Sequence, residues 1–220
     1  MERMSCPTPL ASEISTAATN DARSAAPNWR TGLPRLTGAL ATLRDLKMSD
    51  AAPLLSAVGG DQVSRFISPP PTTLEGFERF ITWSHNQRDA GQCACFAVVI
   101  NGSDAPLGLF QIRSLEAGFA TAEWGFALAP ELWGAGVFTD GARLAIDFAF
   151  AVLGAHRLEA RAARKNSRGN RALRKLGAVQ EGVLGRAFLR NGEYFDQALW
   201  TILHENWLEA KAIWVGRVVH

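Results

Sequence analysis

The sequence predicts an α/β domain in which a mixed sheet is flanked by helices. Three observations lead there. Strand-like and helix-like segments alternate in crossovers along the chain, a long apolar helix runs from Val137 to Leu153, and Asn191-Gly192 joins two strand-like runs as a hairpin. At 220 residues the chain suits one domain with tails.

Residues 1–36 are rich in Ala, Ser, Thr and Pro without an apolar period, and read as a flexible leader. Leu40 to Leu46 is a first strand, and Ser49-Asp50-Ala51 opens a helix. Ser68-Pro69-Pro70-Pro71 is loop, since successive prolines lack the donors a helix needs. Thr72 or Thr73 caps the next helix, which turns Leu74, Phe77, Phe80, Ile81 and Trp83 toward the core. Cys93 to Ile100 is an apolar strand, followed by an Asn101-Gly102 turn. Its Cys93 and Cys95 share one face as small core fillers. Pro106 to Ile112 and Ala120 to Leu128 are two more strands.

In the long helix only Asp140, Arg143 and Asp147 form a polar ribbon, so it is sunk into the domain, and Gly154 ends it. Arg157 to Ala163 is a strand, and Gly169 to Leu176 a helix closed by Gly177. Val183 to Leu189 and Tyr194 to Leu203 form the hairpin. The domain is placed at 37–208, with 209–220 as a C-terminal extension.

Composition excludes several classes of function. With 47% hydrophobic and 20% charged residues, the chain is neither fibrous nor wholly disordered. No apolar run is long enough for a membrane span, and the first residues lack the apolar core of a secretory signal. Three cysteines build no disulfide framework and no Cys/His set has zinc spacing, so no metal is expected and a cytoplasmic location is the default. A net charge of +2 does not by itself indicate a nucleic-acid partner.

The chemistry-bearing segment joins a strand to the long helix. Trp133-Gly134-Ala135-Gly136 precedes Val137-Phe138-Thr139, so unpaired N–H groups of a helix N-terminus converge beside two glycines. That arrangement suits a phosphate group, and a merely tight turn is the alternative. A P-loop is excluded because Gly-Lys occurs nowhere in the chain. A dinucleotide fingerprint fits poorly, because Thr139 stands at its third glycine and Ala129 to Trp133 separate strand from turn.

The segment resembles the acetyl-CoA site of the GNAT superfamily of N-acetyltransferases, in the branch of bacterial ribosomal-protein N-terminal acetyltransferases. The matching residues are Glu123-Trp124-Gly125-Phe126, Pro130, Trp133 to Gly136, Asp147-Phe148-Ala149-Phe150, His156 to Ala160, Asn166, Leu173 to Gly177, Glu181 to Leu184, and Gly192-Glu193-Tyr194 with Asp196. Leu43-Arg44-Asp45-Leu46 and Asp50-Ala51 match the branch's opening strand and helix, so the likeness covers about residues 38–208. The chain departs from the pattern at Phe138, Gly169 and Ala178.

The resemblance implies a mixed, mostly antiparallel sheet with a central splay. It implies acetyl-CoA as acyl donor, its pantetheine beside Phe126, Ala127 and Leu128 and its pyrophosphate on Gly134, Ala135, Gly136, Val137, Phe138 and Thr139, with Trp133 a further cofactor contact. Asn166 and Asn170 are further cofactor contacts by this reading, Glu123 is the candidate general base or else a structurally paired sheet-face glutamate, and Ser167 can protonate the leaving thiolate or cap a helix. The implied acceptor is a primary amine, either a protein N-terminus, a ribosomal one included, or a small molecule. The protein is expected as a monomer or homodimer, without a membrane or nucleic-acid partner. A non-catalytic acyl-CoA sensor is the alternative function. The basic run from Arg157 to Lys175 can meet the cofactor's 3′-phosphate, meet a polyanion, or form a solvated face.

Overall fold

The structure, a computed structural model, describes residues 28–216. An eight-stranded sheet carries the fold. In chain order the strands are β1 (Leu36–Thr37), β2 (Ala41–Asp45), β3 (Cys93–Ile100), β4 (Gly108–Ser114), β5 (Thr121–Leu128), β6 (Arg157–Ala163), β7 (Val179–Arg190) and β8 (Glu193–Leu203). The helices are α1 (Ala51–Val58), α2 (Asp61–Ser64), α3 (Leu74–Asp89), α4 (Val137–Ala151), α5 (Ser167–Lys175) and α6 (His204–Gly216). Across the sheet the order is β1-β2-β3-β4-β5-β6-β8-β7, antiparallel throughout except for the central β5–β6 pair.

Alternation along β3 explains the two-sided core. Ala94, Phe96 and Val98 face α4, where Phe148 meets Phe96 edge-on with centroids 5.0 Å apart. Each such aromatic contributes about 1.5–3 kcal/mol through burial. Cys93, Cys95 and Ala97 face the other way, onto Leu54 and Val58 of α1 and Phe77 and Ile81 of α3. Both cysteines are free and buried, and burial pushes the Cys93 thiol up to about 12, so they act as packing groups. Helix α4 lies close against the sheet at Gly141, where a Cβ would come within 2.8 Å of the Phe110 ring.

Three expectations need correction. Residues 1–27 lie outside the described residues, but 28–36 are no leader: Trp29 packs edge-on to Phe119 at 5.6 Å, Leu33 is buried, and Leu36 begins the sheet. Dispersed apolar residues can reach a core without any period. The boundary at 208 falls inside α6, where Trp207 is buried and donates to Asp147 of α4 at 2.8 Å, and Lys211 pairs with the same carboxylate. On α3, Phe77 and Ile81 are buried as expected, but Leu74 and Trp83 stay exposed, being on the flank the sheet does not cover. Thr73 is the α3 cap, its hydroxyl accepting from Gly76 N–H at 3.1 Å.

The β7–β8 hairpin turns at Asn191 and Gly192, both at positive φ. It is tied to β6 across β8: Arg157 donates to Glu181 at 3.0 Å, and Thr201 donates to it at 2.7 Å. The Arg157 guanidinium, with the Thr201 hydroxyl, holds the Glu181 carboxyl down to about 2 from an ordinary 4.5. A depressed carboxylate pKa adds stability that is complete above 4.5 and is lost as pH falls toward 2. Because Glu181 is 39% exposed, screening reduces that contribution to about 1 kcal/mol. Glu181→Gln should therefore cost about 1 kcal/mol at pH 7 in urea unfolding. The difference from wild type should shrink below pH 4.5, where the native carboxylate begins to lose its advantage.

Candidate active site

The parallel β5–β6 pair holds for only three residues: Thr121, Ala122 and Glu123 face Arg157, Leu158 and Glu159. Beyond that the strands diverge. Trp124 to Leu128 pair only with β4, and Ala160 to Ala163 pair only with β8. Two rows of backbone N–H and C=O groups thus face each other across a wedge with Glu123 at its apex. An extended, amide-bearing chain can pair with such an edge as a strand would. The wedge opens into a cleft of about 660 Å³.

At the end of β5 the chain makes a short helical turn at Pro130–Leu132 and reaches Trp133, whose indole N–H donates to Leu128 C=O at 3.0 Å. Gly134 and Gly136 take φ of 83° and 84°, the left-handed region where side chains are strained. Gly136 caps α4, and the first helical N–H to bond back is that of Asp140, to Gly136 C=O at 3.1 Å. The N–H groups of Val137, Phe138 and Thr139 precede it and have no partner within the helix. Above Gly134 the space is open, with no atom within 4 Å of where a Cβ would stand. Open space, free N–H groups and the positive helix end together suit a phosphate oxygen, so these residues fit the pyrophosphate of CoA.

Two further groups shape this loop, and sequence reasoning missed both. Asp140 is acidic and close to a site for anions, but its carboxylate turns away, accepting N–H bonds from Ala39, Leu40 and Ala41 at 3.1, 2.8 and 3.0 Å. Those bonds fix the β1–β2 turn against the start of α4 and absorb the charge. Arg168, in the first turn of α5, lays its guanidinium 3.8 Å over the Trp133 ring and links the two walls of the wedge. The nearness of Trp133 to α5 exists only in the fold. Phe138 packs inward, its ring 4.4 Å from that of Phe126, so it leaves its own N–H exposed to the loop.

Of the residues singled out, Glu123, Phe126, Ala127 and Asn166 line the cleft. Leu128 and the Trp133–Thr139 loop continue from its β5 wall. Asn166, rather than Ser167, caps α5, its oxygen accepting from Gly169 N–H at 2.9 Å, which leaves its NH₂ as the group free to face the cleft. Ser167 is exposed and is not among the lining residues. Asn170 is committed to the fold: its amide donates to Ala163 C=O and Asn166 C=O at 2.9 and 2.8 Å, and its oxygen accepts from the Trp200 indole at 2.9 Å. Both of its N–H donors are spent at the β6–α5 corner, so it shapes that corner and does not offer them to a cofactor.

At the apex, Glu123 is held by two guanidiniums. Arg113, its cross-strand partner on β4, donates to one carboxylate oxygen, and Arg161 of β6 stands 3.7 Å from the other. The only signal for Arg113 was strand register, and the period-two pattern alone does not fix register between strands. The outer end of the cleft is apolar, with Phe66 and Pro69 to Pro71 from the α2–α3 connection, Phe80 and Trp83 from α3, and Phe188 from β7. Phe188 reaches it through a bulge in which Leu184 to Phe188 of β7 span Gln197 to Phe195 of β8. Arg190 then bonds Ser64 of α2 at 3.0 Å, joining the hairpin to the opposite rim.

Comparison with known proteins places the chain in a family and a fold. The family described as acetyltransferase (GNAT) domain matches residues 41–179, from β2 to the start of β7. The probable N-acetyltransferase YjcK of Bacillus subtilis is 28% identical over 177 residues, covering 77% of this chain and 97% of the relative. A spermidine N(1)-acetyltransferase of Escherichia coli is 31% identical over 113 residues, 51% of this chain and 60% of the relative. Among solved structures, Mycobacterium smegmatis RimJ in complex with CoA-disulfide has the same fold, with a TM-score of 0.71 at 20% identity over 78% of this chain and 87% of that one.

Proposed function

The chain belongs to the GNAT acetyltransferase family and is an N-acetyltransferase, and we propose that it moves the acetyl group of acetyl-CoA by direct attack of a primary amine at the apex of the β5–β6 wedge. The observation that carries this reading is the continuity of one path: phosphate loop, open β5 edge, and a carboxylate where the wedge closes. Bound there, acetyl-CoA supplies an electrophilic thioester carbonyl: the N–C bond forms, the C–S bond breaks, and CoA leaves as the thiolate, which takes up a proton from solvent.

The chain's own residues then have distinct tasks. The N–H groups of the loop and first α4 turn hold the pyrophosphate, and the β5 backbone from Phe126 to Leu128 orients the pantetheine arm. The Asn166 NH₂ donates to that arm from the other wall. Glu123 takes the proton the amine loses as its bond to carbon forms, directly or through one water. The amine enters from the apolar end, so only it and the thioester meet beside Glu123. The acceptor is a protein N-terminal α-amine or a small-molecule amine.

The test is release of free CoA thiol from acetyl-CoA over a panel of primary amines. Amine-dependent release is expected. Tight acetyl-CoA binding with no release over the whole panel would instead favour a sensor that holds the cofactor without turnover.

A further inference from the structure

The charges around the cleft narrow the acceptor further. Among the described residues, Arg113, Glu123 and Arg161 are the charged side chains lining it, and they sit together at the apex. Two cations and one anion do not suit a polycation such as a polyamine, which needs carboxylates along its length. They do present a negative group and a positive group side by side. Glu123 Oε1 and Arg161 Nε are 3.7 Å apart, a separation that matches the span between the ammonium and carboxylate of one α-amino acid.

Arg161 is equipped for that role. Its contact with Glu123 is longer than a hydrogen bond, and among the described residues its guanidinium makes no side-chain hydrogen bond. Its side chain is 42% exposed and lines the cleft, so a fork of donors faces the space an acceptor must enter. Arg113 already donates to Glu123 and keeps that carboxylate in place. Outward from the pair, the walls are aromatic and prolyl: Phe66, Phe80, Trp83, Phe188 and Pro69. An apolar side chain buries well against them.

We propose that the acceptor is a free α-amino acid with an apolar side chain, its ammonium meeting Glu123 and its carboxylate meeting Arg161. This rests on the acetyl-transfer reading above and adds the substrate class. Arg161 acts here as the specificity residue. A protein N-terminus offers the same amine but an amide in place of the adjacent carboxylate, and so leaves Arg161 without a partner.

The experiment has a turnover arm and a binding arm. In the first, kcat/KM, expressed per unprotonated amine because the carboxylate raises the basicity of its neighbouring amine, is measured for L-phenylalanine, L-phenylalaninamide and an alanine-starting peptide in wild type, Arg161→Gln and Arg161→Lys. Wild type should prefer phenylalanine over phenylalaninamide by about 10- to 100-fold, the usual effect of a charge-assisted hydrogen bond. That preference should collapse in Arg161→Gln, chiefly through KM, and return in part with lysine. Equal rates on acid and amide, or a preference unchanged in Arg161→Gln, would overturn the proposal.

The binding arm needs no turnover. 3-Phenylpropanoate, which carries the carboxylate without the amine, is titrated calorimetrically into the CoA-saturated protein. Saturable binding weakened at least tenfold by Arg161→Gln is expected. No binding, or equal binding to both proteins, would overturn the assignment of Arg161 whatever the turnover. Binding as expected without CoA release from any amine would leave the amino-acid site standing and refute acetyl transfer.

Discussion

Gly134→Val and Gly136→Val should each weaken acetyl-CoA binding by at least about a hundredfold while leaving the fold intact. Both positions have φ above 80°, where an L side chain costs about 1–2 kcal/mol and a β-branched one is worst placed. At Gly134 the added atoms enter the open space where a phosphate must approach. At Gly136 they also crowd Leu40, whose Cδ1 lies 3.2 Å from the Cβ position. Each phosphate bond lost to an N–H is worth about 1.5–3 kcal/mol, so losing two accounts for the expected effect. Neither glycine is in the core, so the melting temperature should move by only a few degrees. Calorimetric titration with acetyl-CoA checks this, and unchanged affinity in both variants would refute the phosphate site.

Glu123→Gln should retain acetyl-CoA affinity and lose turnover by about 10²–10⁴-fold, the range of general acid–base assistance. The amide is the same size, and the proposed function has the cofactor held by backbone groups and Asn166. The loss should depend on the acceptor's basicity. Deprotonating an alkylamine of pKa near 10.4 costs roughly 4.6 kcal/mol at pH 7, and an α-amine near 7.8 only about 1.1. The variant's deficit should therefore be larger with an alkylamine and should shrink for both as pH approaches the amine's own pKa. A pH–rate profile of both proteins on one acceptor of each kind reads this directly. Equal rates at pH 6.5 with the alkylamine would make Glu123 a structural partner of Arg113 and Arg161.

The elements legible in the sequence were those with a local cause. Cys93–Ile100 is bounded where its apolar run ends, Arg157–Ala163 alternates charged and apolar residues, and Asn191-Gly192 sets the hairpin because both residues tolerate positive φ. The start of α4 was equally plain, since two glycines meet an apolar period at Val137. Long-range features left no such trace. Trp29 and Trp207 meet Phe119 and Asp147, far away in sequence, and Leu33 is buried without any apolar period around it. Leu74 and Trp83 carry the right period on α3, but period does not say how wide a stripe the sheet covers.

The site divides the same way. Its loop from Trp133 to Thr139 is contiguous in sequence, so the two glycines ahead of an apolar helix were legible there. The apex is built from three strands, and Arg113 and Arg161 flank Glu123 only because β4, β5 and β6 adopt a particular register. Ser167 was legible as a possible cap of a helix placed from Gly169, but α5 begins at Ser167 and Asn166 caps it, as the turn out of β6 decides.

The central claim is direct transfer from acetyl-CoA to an amine in the β5–β6 wedge. Its most direct test is a single-turnover experiment with acetyl-labelled acetyl-CoA and the protein in excess, quenched over time and analysed by mass. The label should pass from the thioester to the amine with one equivalent of CoA released, and the protein mass should never include the acetyl group. Label found covalently on the protein, or a thioester left intact while acetyl-CoA is bound and amine is saturating, would contradict the account.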